Sequence, residues 1–216
     1  MTFGEIYNKV CQKVWGSSPP PTIASALTGQ NGIISDIHRK IQQNYNYWFM
    51  QAYATIVMID GTQAYNLPSE FKEIINCLYK IDGQENFTDP LTPLGLGQGQ
   101  LEWKDEETEY PTLYEIVNGA IVLYPRPSEA RTLHVNYWQF LRRPTDAEFT
   151  TYEDALSQFG YEVMINLSVV EIADILKEFD LSQRFDSKAL EALDLLKTED
   201  RSRRQNHIAE ILYQDV

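Results

Sequence analysis

The spacing of apolar positions changes twice along this chain. Phe3, Ile6, Tyr7, Val10 and Val14 return at three- and four-residue steps, which predicts an amphipathic helix over 2–15 with Thr2 as its N-cap. Gly16-Ser17-Ser18-Pro19-Pro20-Pro21 ends it, and 23–32 reads as a connector with room for one helical turn. A second helix is predicted from about Asn31 to Met50. It places Ile33, Ile34, Ile37, Ile41, Tyr45, Trp48 and Phe49 on one face, and Asp36, His38, Arg39, Lys40, Gln42 and Gln43 on the other. Trp48 and Phe49 are expected to be core anchors where this helix hands over to strands.

From Ala54 to Leu141 the signals are almost all β. Ala54–Ile59 is expected to form a hairpin with Thr62–Leu67 across Asp60-Gly61, and Pro68 stops the ladder because it has no N–H to donate. Ser69 opens a brief turn. Further strands are predicted at Ile74–Ile81, Thr112–Val117, Ala120–Tyr124 and Thr132–Phe140, with a short helix near Gln98–Trp103. Asn118-Gly119 is the strongest short hairpin signal in the chain.

The helical period returns at Tyr152. The helix predicted over Tyr152–Phe179 is apolar round most of its circumference (Leu156, Phe159, Val163, Leu167, Val170, Ile175), so burial on two sides is expected. After a break at Asp180–Gln183, a last helix runs from about Ser187 to Tyr213. Its stripe is Leu190, Leu193, Leu196, Ile208, Ile211 and Leu212, interrupted from Thr198 to Asn206 by Asp200, Arg201, Arg203 and Arg204. A bundle helix that loses its stripe this long is expected to leave its own core, frayed or covered by a partner. The fold class is therefore α+β: a helical bundle of 1–53 with 150–216, carrying an antiparallel β insertion at 54–142.

Length and charge narrow the function. A chain of 216 residues buries roughly 70 % of its unfolded surface. Its first turns lack a basic stretch, so no secretory signal is expected, and no run reaches the ~20 apolar residues of a membrane span. Cys11 and Cys77 lack Cys-x-x-Cys spacing and are expected buried and reduced. With 31 acids against 18 bases the net charge is −13, which opposes attraction to a DNA backbone. Nine of the acids fall between Asp82 and Glu115 against Lys104 alone. That stretch reads either as a solvated loop face or as an electronegative surface in an assembly.

No catalytic constellation emerges. His38, His134 and His207 lack metal-ligand spacing, and His38 is expected to face solvent. Gly95-Leu96-Gly97-Gln98-Gly99 lacks the strand and long helix of a dinucleotide site. Glu102 to Glu109 offers carboxylate pairs, but no apolar pocket to raise one pKa. Arg201-x-Arg203-Arg204 reads as a solvated helix face, a docking patch for an acidic partner, or, weakest against −13, a nucleic-acid contact.

The order of words at the first α-to-β junction is more particular: an amphipathic helix, Asn46-Tyr47-Trp48-Phe49, a hairpin, then Tyr65-x-Leu67-Pro68-Ser69-x-Phe71-Lys72-Glu73-Ile74. In this the chain resembles the head-to-tail adaptor (head completion, or tail accessory) proteins of short-tailed bacteriophages. The element order does so over most of the chain, while the words themselves lie between Asn46 and Ile74. The resemblance implies a structural virion protein without enzymatic activity, cofactor or metal. It implies a ring, typically of twelve copies, made in the host cytoplasm and placed between the portal protein and the tail nozzle or other tail proteins. DNA would pass through unbound, and no membrane would be involved. On this reading the portal-docking residues are Leu190, Leu193, Leu196, Arg201, Arg203, Arg204, Ile208, Ile211 and Leu212. Tyr45, Trp48, Phe49, Tyr65, Leu67, Pro68 and Phe71 form the junction core. Glu102, Asp105, Glu106, Glu107 and Glu109 are the acidic surface toward the channel or tail. The Gly-rich 91–100 segment and the acidic 82–115 stretch depart from the family pattern. Two alternatives are a virion-associated peptidoglycan hydrolase and a tail terminator or stopper ring protein; the long C-terminal helices argue against the latter.

Overall fold

The computed structural model describes residues 1–79, 90–103 and 106–214, apart from the side chains of 22, 100 and 206–214. The helices in chain order are α1 (Phe3–Trp15), α2 (Pro21–Leu27), α3 (Ile33–Asn44), α4 (Gln98–Glu102), α5 (Ala155–Phe159), α6 (Tyr161–Leu176) and α7 (Phe179–Gln214). The strands are β1 (Gln51–Val57), β2 (Ala64–Asn66), β3 (Phe71–Tyr79), β4 (Thr92–Pro93), β5 (Glu107–Thr108), β6 (Leu113–Val117), β7 (Ala120–Tyr124), β8 (Arg126–Pro127) and β9 (Thr132–Gln139). The protein is α+β and divides into two compact units, Met1–Phe49 with Leu141–Val216, and Met50–Phe140.

The first unit is helical, and α6 is its hub, packed against α1, α3, α5 and α7. That follows from a helix apolar almost all round: Val163, Met164, Ile165, Val169, Ile172 and Ala173 are all buried. α1 begins with a capping box, Thr2 Oγ1 accepting from the Glu5 N–H at 3.2 Å and Glu5 Oε2 from the Thr2 N–H at 2.8 Å. Gly16, in the left-handed conformation, closes it.

Three helix boundaries differ from expectation, each for a local reason. The helix predicted to Met50 stops at Asn44; Tyr45 is extended and the chain re-enters only a 3₁₀ turn at Trp48–Met50. The helix predicted over Tyr152–Phe179 is two, because Asp154 caps α5 through Ser157 and Gly160 intervenes. A Cβ at Gly160 would stand 2.6 Å from Leu156 Cδ1 and 3.1 Å from Leu196 Cδ2, so the close approach of α7 requires glycine there. The break predicted at Asp180–Gln183 comes earlier, at Lys177, which takes a left-handed conformation (φ 63°) and donates its N–H back to Ala173 and Asp174. Only the chain geometry marks that turn, since neither Gly nor Pro does.

The second unit is β with the short α4. One sheet runs β1-β9-β3, another β2-β7-β6-β4, and β5 pairs with β8. Asn118-Gly119 forms the expected hairpin between β6 and β7, both residues at positive φ (50° and 78°). Asp60-Gly61 does turn, but its flanking strands do not pair: β1 joins β9 and β2 joins β7. The Tyr65 hydroxyl explains the divergence, accepting from the Ile59 N–H at 3.0 Å and donating to the Thr62 carbonyl at 2.6 Å. It pins a loop that carries the chain from one sheet to the other. Between the sheets lie Met58, Tyr65, Cys77, Tyr79, Tyr114, Ile121, Leu123, Leu133 and Val135, all buried. β3 starts at Phe71, earlier than the Ile74 predicted; the predicted continuation through Ile81 lies outside the described residues.

Candidate docking surfaces

α7 is the longest element. Its 36 residues span about 54 Å, against about 24 Å for the 16 of α6. The stripe it buries is Phe185, Ala189, Ala192 and Leu196, at three- and four-residue steps, with α6 as its packing partner. This is not the stripe expected from leucines. Leu190 is 61 % exposed, Leu193 is half-buried, and only Leu196 is buried. Leu195 and, at the α6–α7 turn, Ile175 and Phe179 are also exposed.

From Leu196 to Arg204 the helix does not leave its unit. Asp200, fully buried, accepts from the Tyr45 hydroxyl at 2.9 Å and from the Trp48 N–H at 2.6 Å. Arg204 stands 2.9 Å from the same carboxylate and donates to the Asn46 carbonyl. Arg203 lies over the rings of Trp48 (4.5 Å) and Phe159 (5.0 Å), braced by Glu199 at 2.8 Å. A buried carboxylate thus takes over where the apolar stripe stops. Arg201 is exposed, and the side chains of Ile208, Ile211 and Leu212 lie outside the described residues. Nothing in the sequence pattern singled out Asp200; its spacing of four from Leu196 was the available signal.

The seven residues expected as one junction core divide between the two units. In the helical unit Trp48 and Phe49 are half-buried, and Tyr47 beside them is the fully buried ring, stacked on Phe49 at 5.2 Å. Burial pushes the Tyr47 phenol far above its usual range, and raises Tyr45 with help from Asp200. In the β unit Tyr65 and Leu67 are buried, while Pro68 and Phe71 are half-buried, Phe71 against Tyr137 at 5.8 Å.

His38 corrects another expectation. It is fully buried, its Nε2 2.7 Å from Asp154 Oδ2, its Nδ1 3.0 Å from Gln42 Nε2, and its ring edge-on to Phe3. Gln42 is equally buried and accepts from the Leu141 N–H at 2.6 Å. These groups lock α3 to the segment before α5.

On the acidic surface Glu102, Glu106, Glu107 and Glu109 are exposed, and Asp105 lies outside the described residues. Glu107 pairs with Arg126, and Arg131 bridges Glu109 (3.4 Å) and Glu129 (3.0 Å) over the Tyr110 ring. Part of the charge is therefore compensated locally. Glu115 behaves differently: it is buried, accepting from the Gly97 N–H and standing 3.5 Å from the Tyr124 hydroxyl. Two glycines of this segment have separate reasons: a Cβ at Gly99 would overlap the Tyr124 ring at 2.1 Å, and Gly97 takes a positive φ of 80°. Among the described residues no group of three or more His, Cys, Asp or Glu could hold a metal ion, and no helix is long and apolar enough to cross a membrane.

The helical unit thus carries a helix far longer than its packing partner, with Ile175, Phe179, Leu190 and Leu195 exposed along and beside it. The family model described as SU10 adaptor protein matches residues 1–209, so the chain belongs to this family of structural bacteriophage head–tail adaptors. A search of curated proteins found no match.

Proposed function

We propose that this adaptor forms a ring between the portal protein and the tail, that α7 docks it on the portal, and that DNA passes through the ring unbound. The observation that supports docking is the shape of α7. Its buried stripe is complete at Leu196, its polar anchor at Asp200 and Arg204, yet the helix continues to Gln214. Ile208, Ile211 and Leu212 recur there at helical spacing, a pattern suited to a partner groove. Leu196 and Arg204 belong to the protein's own packing, so the docking set narrows to the end of the helix, with Leu190 and Arg201 as exposed flanks.

Charge explains why a template is needed. Copies carrying −13 each repel one another, whereas a portal holding neighbours in register makes weak lateral contacts effectively intramolecular. The exposed Glu102 and Glu106, with their neighbours, suit a face toward the channel or tail, because they oppose phosphate binding.

The test is a truncation that respects the core. Removing everything from Ser187 would strip Ala189, Ala192 and Leu196 from the bundle, so the informative deletion is 206–216. The shortened protein should keep its helical signal and melting transition while losing portal binding in sedimentation. Docking with native affinity would overturn the assignment.

A further inference from the structure

One patch runs against the overall charge. Lys9 and Lys13, a turn apart on α1, gather with Arg184 and Lys188, a turn apart on α7, over the rings of Tyr161 and Phe185. Lys13 Nζ and Lys188 Nζ each lie 4.9 Å from the Phe185 ring centre, the Arg184 guanidinium 5.9 Å, and Lys9 Nζ 5.5 Å from that of Tyr161. Among the described residues none of the four cations forms an ion pair. Three of them, Lys9, Lys13 and Lys188, line a cleft of about 360 Å³ that also holds Glu162, Glu191 and the exposed Leu195. Burial and the nearby Lys188 hold the Lys13 ammonium below the ordinary lysine range, Glu162 opposes this, and Lys9 and Arg184 add to it. Positive charge is gathered here and left under-compensated, in a chain of 31 acids.

We propose that this cleft is the lateral contact of the assembly, taking carboxylates from a neighbouring copy of the same chain; this rests on the ring reading above. Charge complementarity names the occupant's chemistry. A ring joins two different patches of one surface, and copies that repel everywhere else need a basic patch to meet an acidic one. Position separates the cleft from the portal. Lys188 stands twenty residues before Ile208, roughly 30 Å along the helix axis, so the docking end of α7 leaves it free. A cleft of about 360 Å³ lined by Tyr161, Ile165 and Ala192 as well as the lysines suits carboxylates on short aliphatic stems better than a duplex, which the net charge of the chain repels.

The experiment uses the full chain with portal protein at physiological salt, following occupancy by native mass spectrometry. Three proteins are compared: wild type, Lys9→Glu/Lys188→Glu, and Lys40→Gln/Arg143→Gln as a surface control. Lys9, Lys40 and Lys188 are exposed and Arg143 is half-buried, and a neutral Lys9→Gln/Lys188→Gln variant gives a milder second reading. Wild type and control should fill the portal cooperatively. The reversed variant should load as isolated copies, its cooperativity reduced about tenfold, and the neutral variant should fall between. Unchanged cooperativity in the reversed variant would overturn the lateral contact while leaving the adaptor reading intact. Failure of the reversed variant to load even single copies would assign the cleft to the portal instead. A duplex DNA shift seen with wild type and lost in the variant would assign it to nucleic acid. Failure of wild type to bind portal at all would remove the ring reading and this inference with it.

Discussion

Replacing Asp200 by alanine should be among the costliest single changes in the helical unit. The carboxylate is fully buried and serves three partners at once: the Trp48 N–H at 2.6 Å, the Tyr45 hydroxyl at 2.9 Å and Arg204 at 2.9 Å. An orphaned buried donor costs about 1–3 kcal/mol, and Trp48 N–H is one such. The Tyr45 hydroxyl, half-buried, adds about 1 kcal/mol on the same basis. Arg204 is 35 % exposed, so water takes over much of its solvation and the full 3–5 kcal/mol of a broken buried pair does not apply. The sum of the two donor terms is about 2–4 kcal/mol, read as a shift in urea midpoint at neutral pH. Hydrogen exchange localises it, because the Trp48 amide should lose protection before the amides of α6 do. Asp200→Asn keeps an acceptor for that amide and should cost about half as much. It should also bring the Tyr45 phenol down toward its usual range, though burial, the larger cause, will keep it raised. An Asp200→Ala protein within about 1 kcal/mol of wild type, with the Trp48 amide still protected, would refute the view that this carboxylate fastens α7 to the 45–49 segment.

Other outcomes follow from the same structure. Tyr47→Ala should cost about 3–5 kcal/mol and Trp48→Ala distinctly less, since Tyr47 is the enclosed ring; denaturant titrations giving the reverse order would contradict the burial assignment. His38→Ala should cost about 2–4 kcal/mol by stranding Asp154 and Gln42, and a loss below about 1 kcal/mol would show that the pair is dispensable. Burial holds the Cys77 thiol up to about 12 from 9.0 and the Tyr152 phenol to about 12 from 10.0. Folded values above unfolded ones contribute stability that is complete below about pH 9 and is lost toward pH 12, so urea midpoints should fall across that window, less steeply in Cys77→Val. A flat profile there would mean these groups reach water. The isolated protein should sediment as a monomer or small oligomer at low salt; a stable large ring under those conditions would show that lateral contacts outweigh the charge without a template.

Much of the fold was legible because the periods are strong. The Thr2 cap, the Asn118-Gly119 hairpin and the apolar girth of α6 each come from a few residues with one physical solution. What escaped was decided at longer range. β1 and β2 flank a good turn, yet the pairing each makes with β9 and β7 is better satisfied once the Tyr65 hydroxyl bridges Ile59 and Thr62. Polar residues hid part of the core: His38, Gln42, Glu115 and Asp200 are buried because specific donors or acceptors meet them, which no hydropathy pattern reveals. The same limit applies to α7. Its leucines suggest one stripe, whereas alanines at 189 and 192 allow the close approach to α6 that decides which face turns inward.

The central claim is that this adaptor closes into a ring on the portal through the end of α7. Electron microscopy of the full chain mixed with portal protein tests it most directly. The account predicts a closed ring of copies on one face of the portal, with the 206–214 segment of each α7 against portal subunits. Bare portal rings, or copies attached through the β unit with α7 pointing away, would contradict it.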